Sequence, residues 1–210
     1  MARRAGGQFV TFEGGEGAGK STQARRLAAR FEALGASVLL TREPGGSPQA
    51  EVIRDQLLAG PSDRWTPMAQ LLLMYAARAE HLERVIWPAL AARQVVISDR
   101  FADSSMAYQG WAQGLGVEAV NALDAIVVRD RAPDLTIILD VPAKTGLARA
   151  KSRGEVNRFE GMDLSFHEDL RHAYLEIAAA HPEPILNRSP DLFFYVVLAG
   201  FGAHDHTALG

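Results

Sequence analysis

The amino-acid sequence predicts a three-layer α/β fold, in which a mostly parallel sheet of about five strands carries helices on both faces. The first observation behind this prediction is that short apolar segments alternate with longer segments whose apolar residues recur at helical spacing. Such alternation is typical of strand–helix–strand units, which place successive strands parallel to one another. The second observation is a glycine-rich turn at residues 14–21, between the first predicted strand and the first predicted helix.

Length and composition narrow the class of protein. With 210 residues, 48% of them hydrophobic and 22% charged, the chain suits one globular domain over residues 1–210. The net charge of −3 argues against general attraction to nucleic acid, and the lack of cysteine excludes disulfides and thiolate metal sites. No apolar run approaches the roughly 20 residues that cross a bilayer, and the N-terminus lacks the apolar segment of a signal peptide. We therefore expect a cytoplasmic protein without nucleic-acid or membrane partners.

The turn at residues 14–21 reads G-G-E-G-A-G-K-S and fits the phosphate-loop pattern G-x-x-x-x-G-K-[ST]. It follows a predicted strand at 9–12 and precedes a predicted helix at 22–34. Glycines let backbone N–H groups surround an anion, Lys20 can reach the outer phosphates of a nucleotide, and the Ser21 hydroxyl can ligate Mg²⁺. The predicted nucleotide-binding residues are Gly14, Gly15, Glu16, Gly17, Ala18, Gly19, Lys20, Ser21 and Thr22.

The elements after this helix continue the alternation. A second buried strand is predicted at 37–41, and it ends in the rigid turn R-E-P-G-G at 42–46. Open α/β sheets bind their ligands at such carboxyl ends of strands. The remaining predicted elements are helices at 48–58, 67–93, 104–110, 117–128, 144–152 and 163–180 and strands at 94–98, 135–139 and, weakly, 184–186.

Two acidic residues compete for the role of magnesium ligand. Asp99 and Asp140 each end a predicted buried strand, where a carboxylate beside a phosphate loop can hold Mg²⁺ directly or through water. Asp99 is favoured because the adjacent Arg100 would add an anion ligand. The other carboxylate is then a strand-end cap or a turn residue.

Two later segments give weaker signals. Residues 153–161 are polar, bounded by glycine and of mixed charge, which by itself indicates a solvated loop. Residues 193–210 show no amphipathic helix, and we expect this tail to be disordered. His204 and His206 lie two apart without a third ligand, so no metal site is predicted there.

From about residue 8 to residue 180 the chain resembles the thymidylate kinases. Five motifs occur in that family's order: F-E-G at 12–14 before the phosphate loop, T-R-E-P-G-G at 41–46, Y-A-A-R at 75–78, D-R-F at 99–101 with A-Y-Q-G at 107–110, and R-G-E-V-N-R-F-E at 153–160. The last motif resembles the family's mobile lid, here near 150–161. The phosphate loop alone is common to many nucleotide enzymes, so it is the ordered set that makes the resemblance specific.

The resemblance implies a nucleoside monophosphate kinase fold and transfer of the γ-phosphoryl of ATP to the 5′-phosphate of thymidine monophosphate (dTMP), with Mg²⁺ as cofactor. It also implies a homodimer packed through its helices. The implied catalytic residues are Lys20, Asp99, Arg100, Arg153 and Arg158, and the implied metal ligands are Ser21 and Asp99. The implied dTMP-binding residues are Glu16, Arg42, Pro44, Met74, Arg78, Arg100, Ser105, Tyr108 and Gln109.

Three of these positions carry the expected specificity. Arg78 matches the residue that hydrogen-bonds thymine, and Tyr108 matches the residue placed under the sugar, where a ring can exclude a 2′-hydroxyl. Met74 departs from the family, which usually has phenylalanine there to stack on the base. Two alternatives remain open: a phosphate-loop kinase for another nucleotide or nucleoside, and a switch ATPase. The switch would need a guanine-reading N-K-x-D stretch or a partner domain, and the sequence shows neither.

Overall fold

The structure is a computed structural model that describes residues 6–152, 157–180, 185–189 and 192–198. Within these ranges one sheet contains the strands β1 Gln8–Glu13, β2 Val38–Arg42, β3 Val95–Asp99, β4 Leu135–Asp140, β5 Ile185–Ser189 and β6 Leu192–Leu198. They lie in the order β2-β3-β1-β4-β6-β5. The first four strands are parallel, whereas β6 runs antiparallel to β4 and β5 antiparallel to β6. The predicted mostly parallel α/β sheet is confirmed, with six strands in place of about five.

Helices occupy the connections between the parallel strands. Their bounds are α1 Lys20–Ala33, α2 Pro48–Leu58, α3 Pro67–His81, α4 Trp87–Ala91, α5 Ala102–Ser105, α6 Val117–Val127, α7 Ala143–Lys151 and α8 Leu164–Ala179. Two π-helical stretches extend them: Leu82–Ile86 joins α3 to α4, and Met106–Ala112 continues α5. The long helix predicted at 67–93 is thus present, with a π-helical turn inside it.

Local sequence explains where several helices begin. The side chains of Ser47, Thr66 and Asp163 cap α2, α3 and α8, because each accepts a bond from the backbone N–H three residues later. Proline follows the cap in α2 and α3, at a position where its missing N–H leaves no helical bond unmade. These start signals account for the close match between the predicted and observed bounds of α2.

The sheet is apolar on both faces, and this burial fixes its register. On one face Phe12 packs with Ala24 and Ala28 of α1, whereas on the other Phe9 packs with Ile86. A shift of one residue would exchange the faces, so pairing is strongly specified. The carboxyl ends of β1, β2 and β3 therefore meet at one edge, where Asp99 is the register partner of both Phe12 and Arg42.

The end of the chain corrects one expectation. The tail from residue 193 was expected to be disordered, but Leu192–Leu198 form β6, which pairs with β4 along its length. The segment L-F-F-Y-V-V-L is rich in aromatic and β-branched residues, and β4 supplies the backbone partners that such a strand needs. Residues 199–210, with His204 and His206, lie outside the described residues. No described helix has the length and apolarity that crossing a membrane requires.

Candidate functional site

A cavity of about 430 Å³ opens at the carboxyl ends of β1, β2 and β3. Its walls come from the phosphate loop, the turn after β2, the helices α2 and α3, the segment after β3, and residues 157–160. All nine residues predicted to bind the acceptor line it: Glu16, Arg42, Pro44, Met74, Arg78, Arg100, Ser105, Tyr108 and Gln109. The phosphate loop contributes Gly17, Gly19, Lys20, Ser21 and Thr22 to the same cavity, whereas Gly14, Gly15 and Ala18 do not line it.

Two glycines explain how the phosphate loop packs on α7. Gly17 has a φ of +65°, and a Cβ placed on it would collide with the backbone oxygen of Gly146. A Cβ on Gly146 would in turn collide with the backbone oxygen of Glu16. The two main chains thus approach too closely for any side chain at either position.

Backbone carbonyls of the phosphate loop fix the position of the Lys20 ammonium group. Its Nζ donates to the carbonyl oxygens of Gly14 at 3.0 Å and Gly15 at 2.7 Å. Burial, together with repulsion from Arg100, lowers the pKa of Lys20 to about 8, although Glu16 counteracts this. Lys20 is still mostly charged at neutral pH, and an incoming phosphate would stabilise that charge.

The metal ligands predicted from sequence come together. The Ser21 hydroxyl donates to Oδ2 of Asp99, so the two oxygen groups face one point beside the loop. Oxygen ligands of this kind suit Mg²⁺. Asp140, the alternative, instead accepts two bonds from the Arg171 guanidinium, at 2.6 and 2.8 Å. This pairing supports Asp99 as the metal-binding carboxylate.

Arg100 connects two of the other residues predicted to bind the acceptor, Glu16 and Tyr108. It has a left-handed φ of +75°, uncommon for a residue with a side chain and typical of functional sites. Its Nη2 donates to Glu16 and to the Tyr108 hydroxyl, both at 3.0 Å, and that hydroxyl donates to Glu16 at 2.6 Å. Burial alone would raise the pKa of Glu16, but Arg100 and Lys20 outweigh it and lower the pKa to about 2. Glu16 is therefore an anion that keeps Arg100 extended into the cavity.

Hydrogen bonds to three neighbouring residues fix the Arg78 side chain at the other end of the cavity. Its Nε donates to Glu43 at 2.8 Å, and its Nη2 donates to the Phe101 carbonyl at 2.9 Å and the Ser105 hydroxyl at 3.0 Å. Glu43 in turn bonds His81 at 3.0 Å. Burial opposes ionisation of Glu43, but Arg78 and His81 prevail and lower its pKa. Sequence reasoning did not identify Glu43 and His81, because their contact joins the turn after β2 to α3.

Two buried donors in the cavity wall have no acceptor among the described residues. They are Nη1 of Arg78 and Nε2 of Gln109. Arg78 is 3% exposed and Gln109 is 1% exposed, so neither relies on bulk water. Because buried donors in proteins are almost always paired, these two atoms are typical of a site that receives acceptor atoms from a ligand.

Arg54 is a site residue that sequence reasoning missed. It lines the cavity, and its Nη1 donates to the Pro44 carbonyl at 2.6 Å. Burial and the nearby Arg42 lower its pKa. The available signal was its place on α2: Arg54 shares a face with Ala50 and Leu57, which are fully buried. An arginine within an apolar helix face indicates an inward-pointing charge.

Arg158 is not where the sequence predicted it. Its side chain is buried outside the cavity, where Nε donates to the Leu57 carbonyl and Nη1 to the Ser62 carbonyl, each at 3.1 Å. The guanidinium is thus committed to backbone oxygens at the end of α2, and it does not face the phosphate loop. Arg158 is therefore not brought together with the predicted site residues that line the cavity, and its catalytic role stays a prediction. Arg153, the other predicted lid arginine, lies outside the described residues.

Comparisons with known proteins agree with this geometry. The thymidylate kinase family model matches residues 12–190. The thymidylate kinase of Caulobacter vibrioides is 56% identical over 177 residues, which are 84% of this chain and 85% of that relative. The thymidylate kinase of Pseudomonas fluorescens strain Pf0-1 is 52% identical over 176 residues, 84% of each chain. A crystal structure of thymidylate kinase from Ehrlichia chaffeensis matches with a TM-score of 0.70 and 35% identity, over 84% of this chain and 89% of that chain.

Proposed function

This chain belongs to the thymidylate kinase family, and on that premise we propose that it transfers the γ-phosphoryl of ATP to the 5′-phosphate of dTMP across the cavity described above. The observation that carries the proposal is the pair of unpaired buried donors, Arg78 Nη1 and Gln109 Nε2, in the cavity that the phosphate loop also lines. A pyrimidine ring offers carbonyl oxygens as acceptors for such donors. A switch ATPase has no use for residues that bind a second substrate beside the phosphate loop.

The residues of the cavity divide into a donor side and an acceptor side. On the donor side, the loop N–H groups and Lys20 hold the phosphates of ATP. Ser21 and Asp99 would hold Mg²⁺, which neutralises phosphate charge when bound. On the acceptor side, Arg100 and Arg54 line the cavity, and these two cations would bind the monophosphate. The protein thereby brings two polyanions together, and its contribution is positioning and charge stabilisation.

A panel of acceptors tests the assignment directly. ADP release from ATP would be followed with dTMP, dUMP, UMP, dCMP, AMP and thymidine, each in the presence of Mg²⁺. We expect turnover to require an added monophosphate and kcat/KM to be highest for dTMP. Turnover that is independent of any acceptor would instead favour the switch ATPase, and preference for another compound would favour a different kinase.

Three further expectations complete the proposal. Arg153 is proposed as the cation for the donor phosphates, because Lys20 is the only basic residue of the phosphate loop. The enzyme is proposed to be a homodimer, and the exposed side chains of Met68 and Leu72 on α3 suit a helix-packed interface. A cytoplasmic location is proposed because a chain without cysteine fits a reducing compartment.

Tyr108 is expected to select against a 2′-hydroxyl. Tyr108→Ala should reduce the preference for dTMP over ribothymidine monophosphate by about tenfold, because removing the ring opens space under the sugar. Tyr108→Phe is the matched control: it keeps the ring, so the preference should persist, while kcat/KM for both acceptors falls because Arg100 and Glu16 lose the hydroxyl. The ratio of the kcat/KM values for the two acceptors, measured on one preparation of a variant, does not depend on the fraction of the protein that is folded. An unchanged ratio in Tyr108→Ala would remove the sugar role.

Met74 is expected to contact the base. It lines the cavity one helical turn before Arg78. Met74→Phe should keep dTMP affinity or tighten it up to about tenfold, since aromatic stacking contributes roughly 0.5–1.5 kcal/mol beyond burial. Calorimetric titration with dTMP measures this, and Met74→Leu, of similar volume without a ring, should stay near the wild type. Clear loss of affinity in a folded Met74→Phe variant would mean that Met74 fills the core and does not contact the base.

A further inference from the structure

Residues 157–160 form a compact turn in the wall of the acceptor cavity. The side chain of Asn157 accepts bonds from the N–H groups of Phe159 at 2.9 Å and Glu160 at 3.1 Å. The Glu160 carboxylate accepts a bond from the N–H of Asn157 at 3.1 Å, so the turn is closed from both ends. Asn157, Phe159 and Glu160 line the cavity, and only Arg158 points away from it. The turn is thus part of the site, and these internal bonds fix its shape.

Arg158 attaches this 157–160 turn to the end of α2. The last carbonyls of a helix have no partner within the helix and carry its partial negative charge. The Arg158 guanidinium donates to the Leu57 carbonyl, and its backbone N–H donates to the Leu58 carbonyl at 3.4 Å. Its Nη1 reaches the Ser62 carbonyl in the following loop. One residue therefore pairs two carbonyls at the helix end and holds the turn against it.

The same guanidinium attaches the turn to α3. Nη2 of Arg158 donates to the side-chain oxygen of Gln70. Gln70, Met74 and Arg78 follow one another at intervals of four residues, so they share one face of α3. Gln70 also donates to Gln113 at 3.1 Å, just after the π-helical stretch that carries Tyr108. Arg158 is thereby connected to both elements that would hold the base and the sugar.

A ring contact completes the connection. The Arg158 guanidinium lies over the ring of Phe159, 4.7 Å from its centroid. The Phe159 ring meets the Tyr108 ring edge-on, with 5.5 Å between centroids. Loss of the guanidinium would remove one of the contacts that hold the Phe159 ring against Tyr108. The position of Tyr108 in the cavity thus depends partly on Arg158.

We propose that Arg158 is a positioning residue of the acceptor site: it clamps the 157–160 turn to α2 and α3 and so shapes the cavity around dTMP, without contacting the donor phosphates. The proposal rests on the proposed function. A positioning role and a catalytic role of Arg158 predict changes in different kinetic parameters. A donor-side cation acts on kcat, whereas a clamp on the acceptor wall acts on the KM for dTMP.

Steady-state kinetics of Arg158→Ala test the clamp. We expect the KM for dTMP to rise about tenfold or more, because small displacements in a site are costly, while kcat and the KM for MgATP change less than about threefold. Arg158→Lys should recover only part of the loss, since an ammonium group cannot donate to three separated oxygens. Arg64→Ala is the matched control: this exposed arginine also bonds the α2 end, at Gln56 and Ala59, without touching the turn, and should behave as the wild type.

A second variant keeps the test valid if Arg158→Ala does not fold. Gln70 lies outside the cavity, so Gln70→Leu should raise the KM for dTMP without removing a cavity residue, by breaking the bonds to Arg158 and Gln113. In a folded double variant the two effects should combine less than additively, because they break one network. A kcat loss of about 10²-fold with unchanged dTMP KM, or no kinetic change in folded Arg158→Ala, would overturn the proposal. Absence of dTMP-dependent turnover in the wild type would instead refute the proposed function.

Discussion

Lys20→Met is expected to lower kcat/KM for MgATP by about 10²- to 10³-fold, the loss typical of removing one preorganised charge from a transition state. The Lys20 ammonium is the only positive side chain within the phosphate loop, and it is already held by the Gly14 and Gly15 carbonyls. Methionine has a similar length without the charge, so the loop can keep its shape. Most of the loss should fall on kcat, because charge on the transferred group grows in the transition state.

The pKa of Lys20 adds a measurable pH dependence to this prediction. The pKa of Lys20 is about 8 in the free protein, and bound phosphates raise it. Nucleotide affinity is therefore highest well below pH 8 and declines as the pH rises from there to the bound-state pKa. At pH 8.5 the binding of ADP should take up about three quarters of a proton, measured by titration calorimetry in buffers of different ionisation heat. Lys20→Arg should show no such uptake. Near-normal kcat/KM in Lys20→Met would contradict the assignment of the loop.

Arg78→Lys is expected to lower kcat/KM for dTMP by about 10²- to 10³-fold, mainly by raising its KM. Lysine keeps a positive charge beside Glu43, so the buried carboxylate is not left unpaired. It cannot reproduce the planar fork that bonds Phe101 and Ser105 and carries the unpaired Nη1. A site built to hydrogen-bond its substrate binds that substrate much more weakly when the hydrogen bond cannot form.

The measurement is a set of dTMP and MgATP saturation curves on Arg78→Lys and on Arg84→Lys. Arg84 is the control because it is an exposed arginine beyond the C-terminal end of α3, paired only with Glu80 among the described residues. Arg84→Lys should match the wild type, and the KM for MgATP should be unchanged in both variants. A dTMP KM within about threefold of the wild type in Arg78→Lys would exclude Arg78 as the base-reading residue.

Features encoded by contiguous residues were predictable from the sequence. The phosphate loop, the strand ends and the starts of α2 and α3 depend on neighbours within a few residues, and the structure agrees with the predictions for them. The acceptor residues could be named because the ordered motifs resemble one family, and all nine line one cavity. What the sequence alone did not reveal is the support behind them, such as Glu43 bonding both Arg78 and His81.

The features that were not predicted share one physical cause: each depends on contacts with residues that are distant in the sequence. Arg158 was assigned to the donor phosphates from its lid motif, yet the free carbonyls at the end of α2 decide where its side chain lies. The strand Leu192–Leu198 was not predicted because its stability depends on pairing with β4. The helix face of Arg54 indicated that its side chain points inward, but the cavity that it enters is formed by elements distant in the chain.

The close approach of Gly17 and Gly146 reverses an ordinary rule of protein engineering. Glycine within a helix costs about 1 kcal/mol relative to alanine, so a stabilisation screen guided by helix propensity would choose Gly146 in α7 for replacement. Here the added methyl would strike the backbone of the phosphate loop. Gly146 therefore belongs with the motif glycines when positions are excluded from a mutant library, although it lies far outside the motif in sequence.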